Sequence, residues 1–139
     1  MRLEFSSLSV WAAALWWGAL TVVGFGVVPM LFANLPTPAI AGAMAAKLFA
    51  ALTWLALACG LCLMLVSRSN KASALVNRIQ GAIVFILLGV LVALLSELAV
   101  APRILARENL GLWHGVGTLL YVVQWLCATV TFWMVTRRG

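Results

Sequence analysis

Residues 79–100 read IQGAIVFILLGVLVALLSELAV, a run whose only charge is Glu97. About 20 apolar residues, each rising about 1.5 Å in a helix, cover the roughly 30 Å hydrocarbon core of a bilayer. This run therefore reads as a membrane span. Working outward, three more runs of the same kind occupy 8–32, 39–66 and 112–135. Lipid satisfies no backbone polar group, so only helices and closed barrels cross it, and four strands cannot close a barrel. All four runs are expected to be helices.

Composition agrees. Of 139 residues, 65% are hydrophobic and 9% charged, where soluble domains run about 45–50% apolar and about 25% charged. The same values exclude a disordered chain, and three cysteines are too few and too odd in number for a disulfide scaffold. The first run is longer than a signal-peptide core of about 7–15 residues, so it reads as a retained span. Residues 1–139 are expected to form one all-α domain, an integral-membrane four-helix bundle made of two antiparallel hairpins.

Orientation follows from Lys and Arg in the short flanks. With the N-terminus inside, the cytoplasmic side carries Arg2, Arg68, Lys71, Arg78, Arg137 and Arg138, against Lys47, Arg103 and Arg107 outside. Both termini are thus expected in the cytoplasm of a bacterial inner-membrane protein. The net charge of +6 reflects this bias and suits anionic headgroups. The lipid bilayer is the first partner. Basic runs interleaved with aromatics are missing outside the spans, so nucleic acid is not a partner.

Local punctuation refines the boundaries. Thr37 is placed to cap the second helix and Pro38 to open it. Ser67-Arg68-Ser69-Asn70-Lys71 reads as a cytoplasmic turn, Pro102 as the close of the third helix, and Asn109 as the cap of the fourth. Trp11, Trp113 and Trp133 fall near helix ends, as interfacial belts do. Trp16, Trp17, Trp54 and Trp125 lie deeper and are expected between helices.

An internal echo appears at a spacing of 73, pairing Val27 with Val100, Pro29 with Pro102, Ala33 with Ala106 and Gly42 with Gly115. If it reflects duplication, the bundle is two pseudo-symmetric hairpins related by an axis along the membrane normal. Small residues four apart, at Gly111 and Gly115, Gly42 and Ala46, and Gly89 and Ala93, permit close helix approach. Their partners are open: helices of this chain, a second copy, or another membrane protein.

Polar residues at membrane depth default to functional candidates. Lys47, Glu97 and His114 come from three helices, yet helical rise carries each to about the same level, roughly 27–31 Å from the cytoplasmic ends. Arg103 and Arg107 lie just beyond. A binding site at the outer mouth is expected from these five. Glu97 would pair with Lys47 or Arg103 or bind a cation or proton, and His114 would titrate or take a metal. In the favoured reading Arg103 and Arg107 attract an anionic or polar group, Glu97 fixes their geometry and His114 responds to pH or ligand. His114, Thr118, Tyr121 and Trp125 share one face of the fourth helix, and Lys47, Ala51, Trp54 and Ala58 one face of the second. These faces are expected to line a cleft. The competing reading is that Lys and Arg only snorkel to headgroups, with Glu97 as their counter-ion.

Cys59 and Cys62 form a CxxC, and Cys127 lies at a similar depth; soft thiolates suit copper(I) or mercury(II). Helical angles, however, turn Cys59 about 120° from Lys47 and Cys127 about 140° from His114. They are weak metal candidates, and no metal site or cofactor is assigned. No motif of hydrolases or nucleotide enzymes occurs, and a single histidine cannot ligate haem twice. The motifs lead to a non-enzyme.

Trp17-Gly18, then 28–36 (VPMLFANLP), Ala41-Gly42 with Phe49, Ala101-Pro102-Arg103 with Arg107, and Trp113-His114-Gly115 together resemble the bacterial branch of the transmembrane protein 205-like family. That is a domain of unknown function. The resemblance implies a four-helix membrane protein and singles out Pro29, Phe32, Gly42, Phe49, Pro102, Arg107 and His114. Its eukaryotic relatives are associated with platinum-drug resistance, which implies metal or drug handling without a mechanism. The fold is also similar to small membrane proteins linked to copper resistance and haem biosynthesis, but the multi-histidine, acidic pattern of a haem-linked enzyme is missing. The expected function is a small transporter-like or accessory membrane component. Two alternatives stand beside it: a haem or redox enzyme with His114 as axial ligand, and a structural partner packing through Gly111 and Gly115.

Overall fold

The computed structural model describes residues 2–68 and 74–137, with side chains from residue 7 onward. Lys71 and Arg138, the side chain of Arg2, and Ser69-Asn70-Lys71 of the predicted turn lie outside the described residues. Six α-helical segments and two π-helical segments follow one another: α1 (Arg2–Val22), a first π-segment (Val23–Val27), α2 (Val28–Asn34), α3 (Pro38–Ser67), α4 (Ala74–Leu95), a second π-segment (Ser96–Val100), α5 (Ala101–Leu105) and α6 (Leu110–Thr136). They make four helices long and apolar enough to cross a membrane: Ser7–Asn34, Pro38–Ser67, Ala74–Leu105 and Leu110–Thr136. The all-α four-helix architecture expected from the hydropathy is present, with no strand among the described residues.

Each span packs along the next, and the fourth packs back on the first. The first and third spans therefore face each other across the bundle diagonal. Trp16 bridges that diagonal: a Cβ added at Gly89 would lie 2.7 Å from its ring and 3.1 Å from the Cys127 Cβ. Trp16, Leu20, Leu63, Ile79 and Ile86 are fully buried around this point and form the core. Gly60 brings α3 equally close to α4, against Val90. Gly89 and Ala93 thus pack inside the chain, whereas a Cβ at Gly42, Gly111 or Gly115 would meet nothing within 4 Å.

The 73-residue echo has a structural counterpart. The two π-segments begin at Val23 and Ser96 and end at Val27 and Val100, at the same spacing. Each is followed two residues later by a proline. In an α-helix, Pro29 would clash with the carbonyl four residues back and donate to nothing. Widening the turn resolves the clash: Val28 N–H bonds the Val23 carbonyl and Ala101 N–H bonds the Ser96 carbonyl, five residues back. The helix then continues. Pro102 consequently does not close the third helix, which runs on to Leu105, and Pro29 sits inside a helix that reaches Asn34. The third span also begins at Ala74 rather than near Ile79, because polar Asn77 and Arg78 form its first turns, which hydropathy overlooks.

Two capping expectations separate. The Thr37 side chain accepts from Ile40 N–H at 3.3 Å, and Pro38 opens α3 as expected. Asn109 does not cap α6 with its side chain. Its φ of 31° is left-handed, not the extended geometry of an N-cap, and only its carbonyl engages the helix, accepting from Trp113 N–H at 3.1 Å. The preceding turn is a Schellman motif, with Glu108 N–H on the Arg103 carbonyl and Arg107 N–H on the Ile104 carbonyl, both 3.0 Å. Arg107 holds the left-handed position, φ 58°, that glycine usually takes.

Candidate functional site

A cavity of about 330 Å³ opens among the four spans at the end carrying the two short connections. Both π-segments line it, the first through Gly24 and Phe25 and the second through Ser96, Glu97 and Val100. α3 contributes Ala45, Ala46, Phe49 and Thr53, and α6 contributes His114, Thr118, Tyr121 and Gln124. Exposed Phe32, Leu105 and His114 stand at its rim. Gln124 lies ten residues further along α6, about 15 Å deeper by helical rise. Beneath it, Trp16 and Cys127 belong to the close-packed core that closes the floor.

Tyr121 organises the upper wall. Its hydroxyl donates to the Leu20 carbonyl at 2.6 Å, and its ring lies 5.4 Å from that of Phe49, so one side chain ties α6 to the first and second spans. Gly24 makes this fit possible, since a Cβ there would sit 2.6 Å from the Tyr121 hydroxyl oxygen. One turn deeper, Trp125 Nε1 donates to Thr21 Oγ1 at 2.9 Å, and its ring meets Phe25 edge-on at 5.4 Å.

The polar groups in the cavity fall into two sets. The Thr53 hydroxyl is spent on the Phe49 carbonyl at 3.1 Å and the Ala93 carbonyl at 3.4 Å, and Thr118 on the His114 carbonyl at 2.8 Å. Gln124 is different. It is 4% exposed, and its Nε2 has no hydrogen-bond partner; buried Ser96 Oγ likewise has none. A buried amide left unsatisfied costs about 1–3 kcal/mol. The Trp16 and Trp17 indole N–H groups also lack partners, but of these four groups only Gln124 and Ser96 belong to residues lining the cavity. The prolines add two acceptors. With Val28 N–H directed to Val23 and Pro29 lacking a hydrogen, the Gly24 carbonyl loses its intrahelical donors. The same count applies 73 residues on, at the Glu97 carbonyl.

Of the five outer-cluster residues, the cavity gathers Glu97 and His114 and leaves out the three cations. Lys47 is exposed on the outside of the bundle. Arg103 turns away from Glu97: its guanidinium donates to the Ala99 carbonyl and lies 4.6 Å over the Trp113 ring. Arg107 is exposed in the Schellman turn. The expected cleft face of the second span is also corrected. Lys47, Ala51, Trp54 and Ala58 are all exposed, Trp54 to 72%, and the face that lines the cavity lies beside them. With apolar residues all round this helix, hydropathy could not tell its lipid side from its bundle side. Trp54 therefore does not pack between helices, whereas Trp16 does, and Trp17 stacks on Phe132 at 5.2 Å.

Ser96 and Gln124 were missed in the sequence. The signal was available in Gln124, an amide at the centre of a 27-residue apolar helix. Cys59 and Cys127 are buried and Cys62 is partly buried; all three are free thiols. Among the described residues, no three His, Cys, Asp or Glu side chains come together as a metal site.

No curated protein and no solved structure matches the chain significantly. Residues 11–112 match a family described as a domain of unknown function, DUF4149. That match begins in the first span, ends at the start of the fourth, and takes in both π-segments and their prolines; the chain belongs to the DUF4149 family.

Proposed function

We propose that this chain is a non-enzymatic, multi-pass protein of a bacterial inner membrane that holds a small amphipathic molecule in its cavity, in a transporter-like or accessory role. The observation that carries the proposal is the pair of unpartnered donors, Gln124 Nε2 and Ser96 Oγ, in a largely apolar, aromatic-walled cavity of about 330 Å³. Small-molecule sites combine such a wall with a few orienting polar groups in about 300–1,000 Å³. The orientation proposed, with both termini cytoplasmic and the cavity mouth outward, rests on the Lys and Arg asymmetry. The resemblance to the transmembrane protein 205-like family extends the proposal to metal or drug handling as the cellular role.

Native mass spectrometry of the full chain, released from mild detergent, tests the binding role. Wild type is expected to carry a small-molecule adduct that Gln124→Leu loses while melting at the same or a higher temperature, since Leu needs no partner there. An adduct unaffected by Gln124→Leu, or bare protein in both samples, would overturn it.

A further inference from the structure

The electrostatics of the cavity narrow the class of ligand. Glu97 is the only acidic side chain on its wall, and no Lys or Arg accompanies it. Arg103, the nearest cation in sequence, is committed to the Ala99 carbonyl and the Trp113 ring. In a chain of net charge +6, this space between the spans is thus lined by a carboxylate with no Lys or Arg beside it, the imidazole of His114 at the rim being the other ionisable group on the wall. Aromatic rings reinforce that sign. Phe25, Phe32, Phe49 and Tyr121 all border the space, and ring faces attract cations, most strongly where water is excluded. Deeper in, the Gln124 amide offers a donor that needs an acceptor.

We infer that the cavity takes an organic monocation: a positively charged ammonium head held by Glu97 and the aromatic rings, on an apolar body whose hydrogen-bond acceptor reaches Gln124. This rests on the binding role proposed above and adds the ligand's charge and polarity pattern. An anion would face Glu97 with no Lys or Arg on the wall to answer it, and with only the rim imidazole of His114 as a basic group. A bare inorganic cation would leave most of the space and the Gln124 amide unused.

Benzoylcholine and its uncharged carbon isostere, 3,3-dimethylbutyl benzoate, separate the parts of this inference, because both carry the same carbonyl acceptor and only one carries charge. Each is titrated into the full chain in nanodiscs, with intrinsic tryptophan fluorescence as readout. The wild type is expected to bind the cation at least about tenfold more tightly than the isostere, a difference of the size that one carboxylate and desolvated aromatic faces supply. Glu97→Gln, which keeps the shape of the side chain, should cut that preference to the few-fold that the aromatic faces supply alone, by weakening the cation far more than the isostere. Gln124→Leu should weaken both esters alike. Equal affinity of wild type for the two, or a preference undiminished by Glu97→Gln, overturns the assignment of a cation. If, with that result, Gln124→Leu still weakens both esters, the cavity reading stands without it. Failure of wild type to bind either ester, with folding verified by its melting transition, overturns both readings together.

Discussion

Gly24 and Tyr121 show how much one missing side chain decides. The Tyr121 hydroxyl reaches the Leu20 carbonyl only because position 24 carries no Cβ, and the ring then rests on Phe49 as the wall of the cavity. Gly24→Ala is expected to push Tyr121 aside, cost about 1–3 kcal/mol as overpacking does, and lower the melting temperature measured in detergent. The equivalent change at Gly26, where a Cβ meets nothing within 4 Å, is the control and should be neutral or slightly stabilising. Equal melting of the two variants would show that Tyr121 is not held as described. Arg107 illustrates the opposite case. Its place in the sequence, near two other outer cations, reads as charge for a site, while its backbone shows a left-handed turn residue that ends α5.

Within single helices, the two prolines decide most, and Pro102 does not close its helix as its chemistry alone predicts. A proline in a helix interior breaks a hydrogen bond, so ending the helix there is the simple expectation. Both helices instead insert a wider turn and continue, which places Ser96, Glu97 and Gly24 on the cavity wall. The small-residue motifs divide in the same way. Gly89 receives Trp16 and Cys127, while Gly111 and Gly115 face no neighbour in the chain. Gly89→Ala should therefore force the third span away from Trp16 and destabilise by about 1–3 kcal/mol, whereas Gly111→Ala should change stability by no more than its helix propensity, about 1 kcal/mol in favour of Ala. Thermal melting of the two variants side by side checks this. If Gly111→Ala melts lower, that face has a partner in solution.

For the whole molecule, the diagonal placement of the first and third spans brings two pseudo-equivalent π-segments to one cavity, with the core of Trp16, Leu20 and Ile86 closing it from the opposite end. The cavity is thus closed at the end away from the short connections. In a variant whose three native cysteines are replaced by serine or alanine, His114→Cys at the exposed rim is expected to react with a membrane-impermeant maleimide added to intact cells, and not from inverted vesicles alone. Labelling from the inverted side only would reverse the proposed orientation, and no labelling from either side would mean that the cavity is sealed.

The four spans, the Thr37–Pro38 start of α3, the shared level of Glu97 and His114, and the 73-residue echo were all legible in the chain, because each depends on hydropathy, spacing or local backbone chemistry. Which face of each helix turns inward was not. In lipid the two sides of a span are equally apolar, so Lys47 and Trp54 read like cavity residues yet point outward, and Gln124 reads like a stray amide yet lies at the cavity's depth with an unpaired donor. Helix rotation is set by packing against neighbours, by Trp16 on Gly89 and Tyr121 on Gly24, and those contacts join residues about 70 to 100 positions apart that no local pattern connects.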